Sequence, residues 1–471
     1  MSTPAPSEPG RSPDRRPPLL FSAFVMNTTS HIVQGTWRLP DAGQTEFNSL
    51  QHWVDLARLL ERGRFDAIFF ADVAGLYGEY RGDHRTYVEA GLQVPSNDPS
   101  VLASALALVT EHLGIAITSS VVQEHPFNFA RRMSTLDHLT GGRVAWNVVT
   151  SHIENTFRNF GHDGLVPHDE RYAWAEEYLD VTFKLWEGSW DDGALVQDRE
   201  RGIHAEFDKV HKIHHRGPRY SVEGPHLVAP SPQRTPLLFQ AGSSPVGREF
   251  AARNAEATFI VAPHPDAARA QIADTRSRAV AYGRRPADIK FFPGLTFVVG
   301  STEEEARRKA AELDEVIDWD AHVAHLSGGL GVDLGHHDPD EPIGVLETET
   351  VQSLVAAVRA SVGDREPTVR DLGRLLAGAN RIVGTPEGIA DALEEWQGAG
   401  IDGVNVINVT RPGTYEEFVE HVTPVLQARG LQKREYEPGT LRRKVFGTDL
   451  LPERHRAATY RGAFAHVPTT A

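Results

Sequence analysis

The chain contains no cysteine. Disulfides, thiolate zinc sites, iron–sulfur clusters and cysteine nucleophiles are therefore excluded. It also lacks a basic surplus: 48 Lys and Arg stand against 64 Asp and Glu, for a net charge of −16. No basic domain is present to release counterions from a nucleic acid, so no nucleic-acid partner is expected. No run of about 18 apolar residues occurs, and so no membrane span is expected. The opening MSTPAPSEPGRSPDRRPP has no apolar core of the kind a secretory signal needs. Residues 1–18 read instead as a disordered lead. A cytoplasmic enzyme is the expectation. The composition, with 40% hydrophobic and 24% charged residues, is that of a globular protein. A chain of 471 residues can bury one large core with insertions, or two smaller ones.

The stretch from Gly114 to Ser151 organises the rest. Two short apolar runs, GIAITSSV and RVAWNVVTS, flank an amphipathic segment. The runs are too short for ordinary helices and rich in β-branched residues, as strands buried on both faces are. Between them, Phe129, Met133, Leu136 and Leu139 follow at helical spacing, with Pro126 at the start and Gly141-Gly142 at the stop. Strand, helix, strand makes a parallel pair. Both strands end in small polar residues, and the carboxyl ends of parallel strands are where such folds bind ligands.

The same unit recurs along the chain. Strands are expected near residues 20, 67, 115, 144, 237, 258, 292 and 404, each followed by a helical stripe. Eight alternating units point to an α/β fold of the (β/α)8 TIM-barrel type. No G-x-G-x-x-G follows the first strand, which argues against an open dinucleotide-binding sheet. The barrel is read as one domain over 19–430. Insertions are expected after the fourth strand (about 189–236) and the seventh (about 318–381). Residues 431–471 read as a basic, Pro-punctuated arm packing on this or a neighbouring subunit.

Polar residues stand at five strand ends: Asn27, Asp72, Thr118, Asn147 and Ser243. Taken singly, each has a plain reading, as a loop cap, a strand-end hydroxyl or a turn amide. Together, in a barrel, they would ring one mouth. Gly242, Ser243 and Ser244 lie between a strand and a helix start, a placement that suits a phosphate and equally suits a simple N-cap. His211, His214 and His215, like His336-His337-Asp338, lie in irregular segments without a metal-binding carboxylate pattern. They read as hydrogen-bonding residues, and no metal is expected.

Four strings carry a resemblance: HPFNFARRMSTLDHLTGGRVAWNVVTS, RNFG, HDERYAWAEEYLDV and SPQRTPLLFQAGSSPVGREFAARNAEATF. They resemble the bacterial-luciferase-like flavin monooxygenases. The resemblance is to the branch containing nitrilotriacetate monooxygenase, EDTA monooxygenase, dibenzothiophene-sulfone monooxygenase and pristinamycin synthase. It runs from about residue 20 to 442. It implies a barrel that takes reduced FMN (FMNH2) as co-substrate from a separate NAD(P)H:FMN reductase and uses O2 to oxygenate a small organic substrate. It also implies FMN contacts from Asp72, Thr118, His168, Tyr172 and Ser243, with Asn147, Gly242 and Ser244 alongside. His168 and Tyr172 are one helical turn apart and can face one group. A flavin would explain why no catalytic triad is visible, since the cofactor supplies the hard chemistry. The loop 73–99 and the insertion 189–236 are candidate lids. His31, after the first strand, is a candidate proton donor or hydrogen-bond partner near flavin and substrate. A homo-dimer or homo-tetramer is expected. Three rivals remain, of which the first two are an F420-dependent hydride-transfer enzyme of the same fold and a flavin-binding protein without catalysis. A metal-dependent barrel hydrolase is a third.

Overall fold

The computed structural model describes residues 16–338, 340–342, 365–378 and 380–465. Eight strands form its centre: β1 Leu20–Met26, β2 Ala67–Ala71, β3 Gly114–Ser120, β4 Val144–Val149, β5 Leu237–Gln240, β6 Ala257–Ile260, β7 Lys290–Val299 and β8 Gly403–Ile407. Each pairs in parallel with the next, and β8 returns to β1 through Leu20↔Gly403 to Phe24↔Ile407. The sheet closes on itself, so the expected (β/α)8 barrel is what forms. Strands buried on both faces must be apolar throughout. Phe24, Phe69, Phe239 and Phe292 meet inside, with successive ring centroids 5.3, 5.2 and 5.6 Å apart. The small Ala116, Ala145 and Ala257 leave room for them in the same cluster.

A further strand, Arg381–Gly384, pairs with the second half of β7 from Thr296↔Arg381 to Val299↔Gly384. The sequence reading ended an irregular insertion at Arg381. β7 has ten residues and outruns its neighbours, so its far half offers an edge for RIVG to cover. The described part of the 318–381 insertion is also regular, with helices Trp319–Leu330 and Val369–Gly378. Residues 343–364 of that insertion lie outside the described residues, as do 1–15 of the lead and 466–471 of the tail.

These helices form a roof with the loop after β2, which contains the helix Arg85–Ala90. Tyr77, Tyr80, Tyr87, Leu92, Val323 and Leu372 make a second apolar core there, separate from the barrel's own. The 189–236 insertion goes elsewhere. It contributes two short hairpins, Leu195–Asp198 with Ile203–Ala205 and His215–Arg216 with Ser221–Val222. Part of it is tied to the helix Pro126–Leu139: His226 Nε2 meets Ser134 Oγ at 2.9 Å, and Gln233 Nε2 donates to Asp137 at 2.7 Å.

The C-terminal arm closes the opposite end of the same barrel. Leu441, opening the helix Leu441–Phe446, packs beneath Gly114 so closely that a Cβ there would meet its methyls at 2.8 and 2.9 Å. Arg442, fully buried, clasps Glu256 through Nε (2.7 Å) and Nη2 (2.9 Å). Such a pair is costly to break from one side, so it fixes the arm in register.

Candidate active site

The carboxyl ends of β2 to β5 open onto a cavity of about 490 Å³. Asp72, Thr118, His168, Tyr172, Gly242, Ser243 and Ser244 all line it. Residues separated by up to 172 positions in sequence thus meet because the barrel brings successive strand ends around one mouth. Asn147 stands directly behind: its Nδ2 donates to Thr118 Oγ1 at 2.9 Å, across the Thr118↔Asn147 register of β3 and β4. Asn147 Oδ1 and the neighbouring Gln240 Oε1 are buried without a partner. Buried amide oxygens need a donor, and these wait for one beside the cavity.

One flank of the cavity is a cradle. Ser244 caps the helix Pro245–Asn254, accepting from Gly247 N at 3.0 Å. His168 Nε2 lies 3.3 Å from Ser244 Oγ, and the Tyr172 hydroxyl hydrogen-bonds with Ser244 and Gln240. Gly242 must be glycine: a Cβ there would lie 2.3 Å from Gln240 Nε2, 2.7 Å from the Tyr172 hydroxyl and 2.8 Å from Gly247 Cα. A helix N-terminus with free N–H groups, ringed by hydroxyls and cut back to backbone by glycine, fits a phosphate. Thr118 and Asp72 line the same cavity beyond it. The residues present therefore fit FMN.

Asp72 follows the last residue of β2. Burial pushes its carboxyl up to about 7, and the charge of Asp98 adds to this; a hydrogen bond from Gln123 works against it. Gln123 is itself held, with Oε1 accepting from Ser120 N at 2.8 Å. Ser151, just past β4, has φ +58°, a left-handed conformation that serine adopts only under constraint.

His31 is not among the residues lining this cavity. Its ring rests 4.9 Å from that of Phe24, and burial, reinforced by His325 and Arg411, pulls its imidazole down to about 3. It belongs to a group of histidines under the roof. His152 Nε2 lies 3.3 Å from the Tyr77 hydroxyl, and His325 Nε2 lies 3.2 Å from Gln93 Nε2. Burial lowers His152 and takes His325 down to about 4, so both are neutral at pH 7. Of this group only His152 reaches the cavity. The 189–236 insertion contributes no residue to the described lining. The roof does, through Val73, Ala74 and Gly329, so of the two candidate lids only the 73–99 loop reaches the described lining, together with the second insertion.

Sequence reasoning passed over Gln123, His152, Arg171 and Gln240. Gln240 and His152 had a signal, since each stands at or just past a strand end. Arg171 lies inside the quoted HDERY string. Tyr77 and His325 had none: they meet only through the roof. No group of three or more His, Asp or Glu side chains that could hold a metal occurs among the described residues, and none of their helices is long and apolar enough to cross a membrane.

Comparison with known proteins agrees with this geometry. The model of the family described as luciferase-like monooxygenase matches residues 26–403. The long-chain alkane monooxygenase of Geobacillus thermodenitrificans is 44% identical over 451 residues, 95% of this chain and 99% of that protein. The dimethyl-sulfide monooxygenase of Hyphomicrobium sulfonivorans is 41% identical over 452 residues, 95% of this chain and 94% of its own length. A riboflavin lyase solved with a modified FMN and riboflavin superposes with a TM-score of 0.84 at 35% identity, covering 94% of this chain and 99% of that one. With a match over most of its length and a closed barrel whose strand ends meet in one cavity, the chain belongs to the luciferase-like, flavin-dependent monooxygenases.

Proposed function

We propose that this protein is the oxygenase component of a two-component system. It takes reduced FMN from a separate NAD(P)H:FMN reductase and uses O2 to oxygenate a small, uncharged organic molecule. The observation carrying this reading is the single cavity that joins a phosphate cradle to the ends of β2, β3 and β4 beneath a roof.

Reduced FMN, when bound, supplies the electrons that activate O2. The chain's residues do the rest. Ser243, Ser244, Tyr172 and His168 hold the phosphate. Thr118, oriented by Asn147, and Gln240 offer hydrogen bonds to the polar edge of the ring. Asp72, with its carboxyl near 7, exchanges a proton close to the ring at working pH. His152, neutral and hydrogen-bonded to Tyr77, can take up or hold a proton on the roof side. Val73, Ala74, Ile153 and Gly329 line the roof side of the cavity, where they limit the access of water to a reduced flavin. The roof core is aromatic and aliphatic, and its histidines are held neutral. The roof side of the lining, Val73, Ala74, Ile153 and Gly329 with a neutral His152, carries no charged side chain and suits an uncharged substrate, as do the alkane and dimethyl sulfide in the names of two relatives.

Anaerobic titration with FMNH2, oxidised FMN and reduced F420 tests this, followed by a pulse of O2 with a panel of sulfides, alkanes and sulfones. Preference for FMNH2 and substrate-dependent O2 uptake are expected. Preference for the deazaflavin supports the hydride-transfer rival. Flavin binding with no oxygenated product across the panel supports the non-catalytic one.

A further inference from the structure

The phosphate cradle described above has no full positive charge among its members. A phosphate monoester carries roughly −1.5 to −2 at pH 7, and a helix N-terminus offsets only about half a unit. Serine and tyrosine hydroxyls add none. Arg171 is the one Lys or Arg among the described residues lining the cavity. It lies on the helix His168–Phe183, between His168 and Tyr172, and its side chain turns to the same space.

Its surroundings are unusual for a buried arginine. It is only 8% exposed. Nη1 donates to the Ser151 carbonyl, Nε is buried with no partner, and no carboxylate forms an ion pair with it among the described residues. Other buried arginines in this chain have either a carboxylate or a fuller set of hydrogen bonds: Arg284 and Arg411, like Arg143, form no ion pair among the described residues, yet each donates three or more hydrogen bonds where Arg171 donates one. Arg442 clasps Glu256, while Arg143 donates to Thr140 O, Thr110 Oγ1, Leu113 O and Ala107 O. A buried cation left without an anion is unfavourable unless a ligand brings one. Ser151 supplies the carbonyl that holds Arg171 from its strained backbone conformation, which suggests that the guanidinium is aimed rather than merely packed.

We propose that Arg171 is the counter-ion of the flavin phosphate, its guanidinium facing the phosphate oxygens held by Ser243 and Ser244. This rests on the flavin reading given under Proposed function. It completes the charge balance of that site.

Binding of oxidised FMN and of riboflavin, which lacks the phosphate, is measured by flavin fluorescence in the wild type, Arg171→Gln and Arg171→Lys, with far-UV circular dichroism to verify folding. The wild type should prefer FMN. Arg171→Gln should weaken FMN by about 10- to 100-fold while riboflavin stays within about twofold. Arg171→Lys keeps the charge but loses the fork, so it should recover part of the preference. If the glutamine variant does not fold, a fall in the FMN-to-riboflavin preference of the lysine variant alone decides the question. Equal weakening of both flavins would mean that Arg171 only props the Ser151 loop, and no change in either would mean that it faces something else; both overturn the proposal. A wild type that binds neither flavin sinks the flavin reading itself. A wild type that prefers FMN, with an unaltered Arg171→Gln variant, leaves that reading standing and removes only this one.

Discussion

Asp72→Asn should make the protein more stable at high pH while making it a poorer flavin binder. In the folded protein burial and Asp98 raise the Asp72 carboxyl from 3.8 to about 7. Its folded form therefore holds a proton that the unfolded chain has lost. The resulting stability is fully present below about pH 4 and disappears as pH rises through about 7. Each unit between the two values is worth about 1.4 kcal/mol. Ionising this carboxyl in place thus costs the wild type about 4 kcal/mol by pH 8, of which about 2.6 kcal/mol develops between pH 5 and pH 8. An amide has no such penalty and preserves the shape. Urea unfolding of wild type and Asp72→Asn at pH 5, 6, 7 and 8 reads the difference directly. The stability gap should widen in favour of the variant by about 2–3 kcal/mol across that range. A gap that stays flat would mean that Asp72 is solvated and offers the cavity no group that titrates near pH 7. The variant's loss of flavin affinity would place Asp72 among sites where stability is given up for function.

Further perturbations address other parts of the molecule. Gly242→Ala puts a methyl 2.3 Å from Gln240 Nε2 and 2.7 Å from the Tyr172 hydroxyl, so FMN affinity should fall by more than about tenfold with little loss of secondary structure, as titration and circular dichroism would report. Ser244→Ala removes the cap of the helix Pro245–Asn254; about 1 kcal/mol of stability should go with it, read by denaturant melts, together with part of the FMN affinity. Glu256→Gln strands Arg442 beneath the barrel, which should cost about 3–5 kcal/mol in the same melts while flavin binding per folded molecule is unchanged, since this pair lies at the closed end. Tyr77→Phe removes the hydroxyl partner of His152; product formed per O2 consumed should fall while FMN binding holds.

Much of this was readable from residue order, for physical reasons. The barrel strands are buried on both faces, so AIFFA stands out as an unbroken apolar run, and VAWNVV and GVNVI as apolar runs broken by one asparagine each. The strand ends pointed to Asp72 and Thr118, because a closed parallel sheet has one mouth, whereas Asn147, read as a strand end, lies inside β4 and stands behind Thr118. RIVG was overlooked because a four-residue strand on the edge of β7 carries little pattern. The roof was hidden for a different reason. Tyr77, His152 and His325 come from three connections, and nothing local marks them as neighbours. The arm's place beneath its own barrel was hidden in the same way: Leu441 fits under Gly114 only once the strands have closed. His31 illustrates the limit of reasoning from strand ends. It follows β1 as the others follow their strands, yet it packs on Phe24 away from the cavity's described lining.

The most direct measurement supplies chemically reduced FMN and 18O2 to the purified protein with a sulfide or alkane, and weighs the product. Oxygenation in this cavity predicts a single 18O atom in the organic product, formed only when reduced FMN is present and abolished with Gly242→Ala. Product oxygen drawn from water, or flavin oxidation that never labels any compound offered, would contradict it.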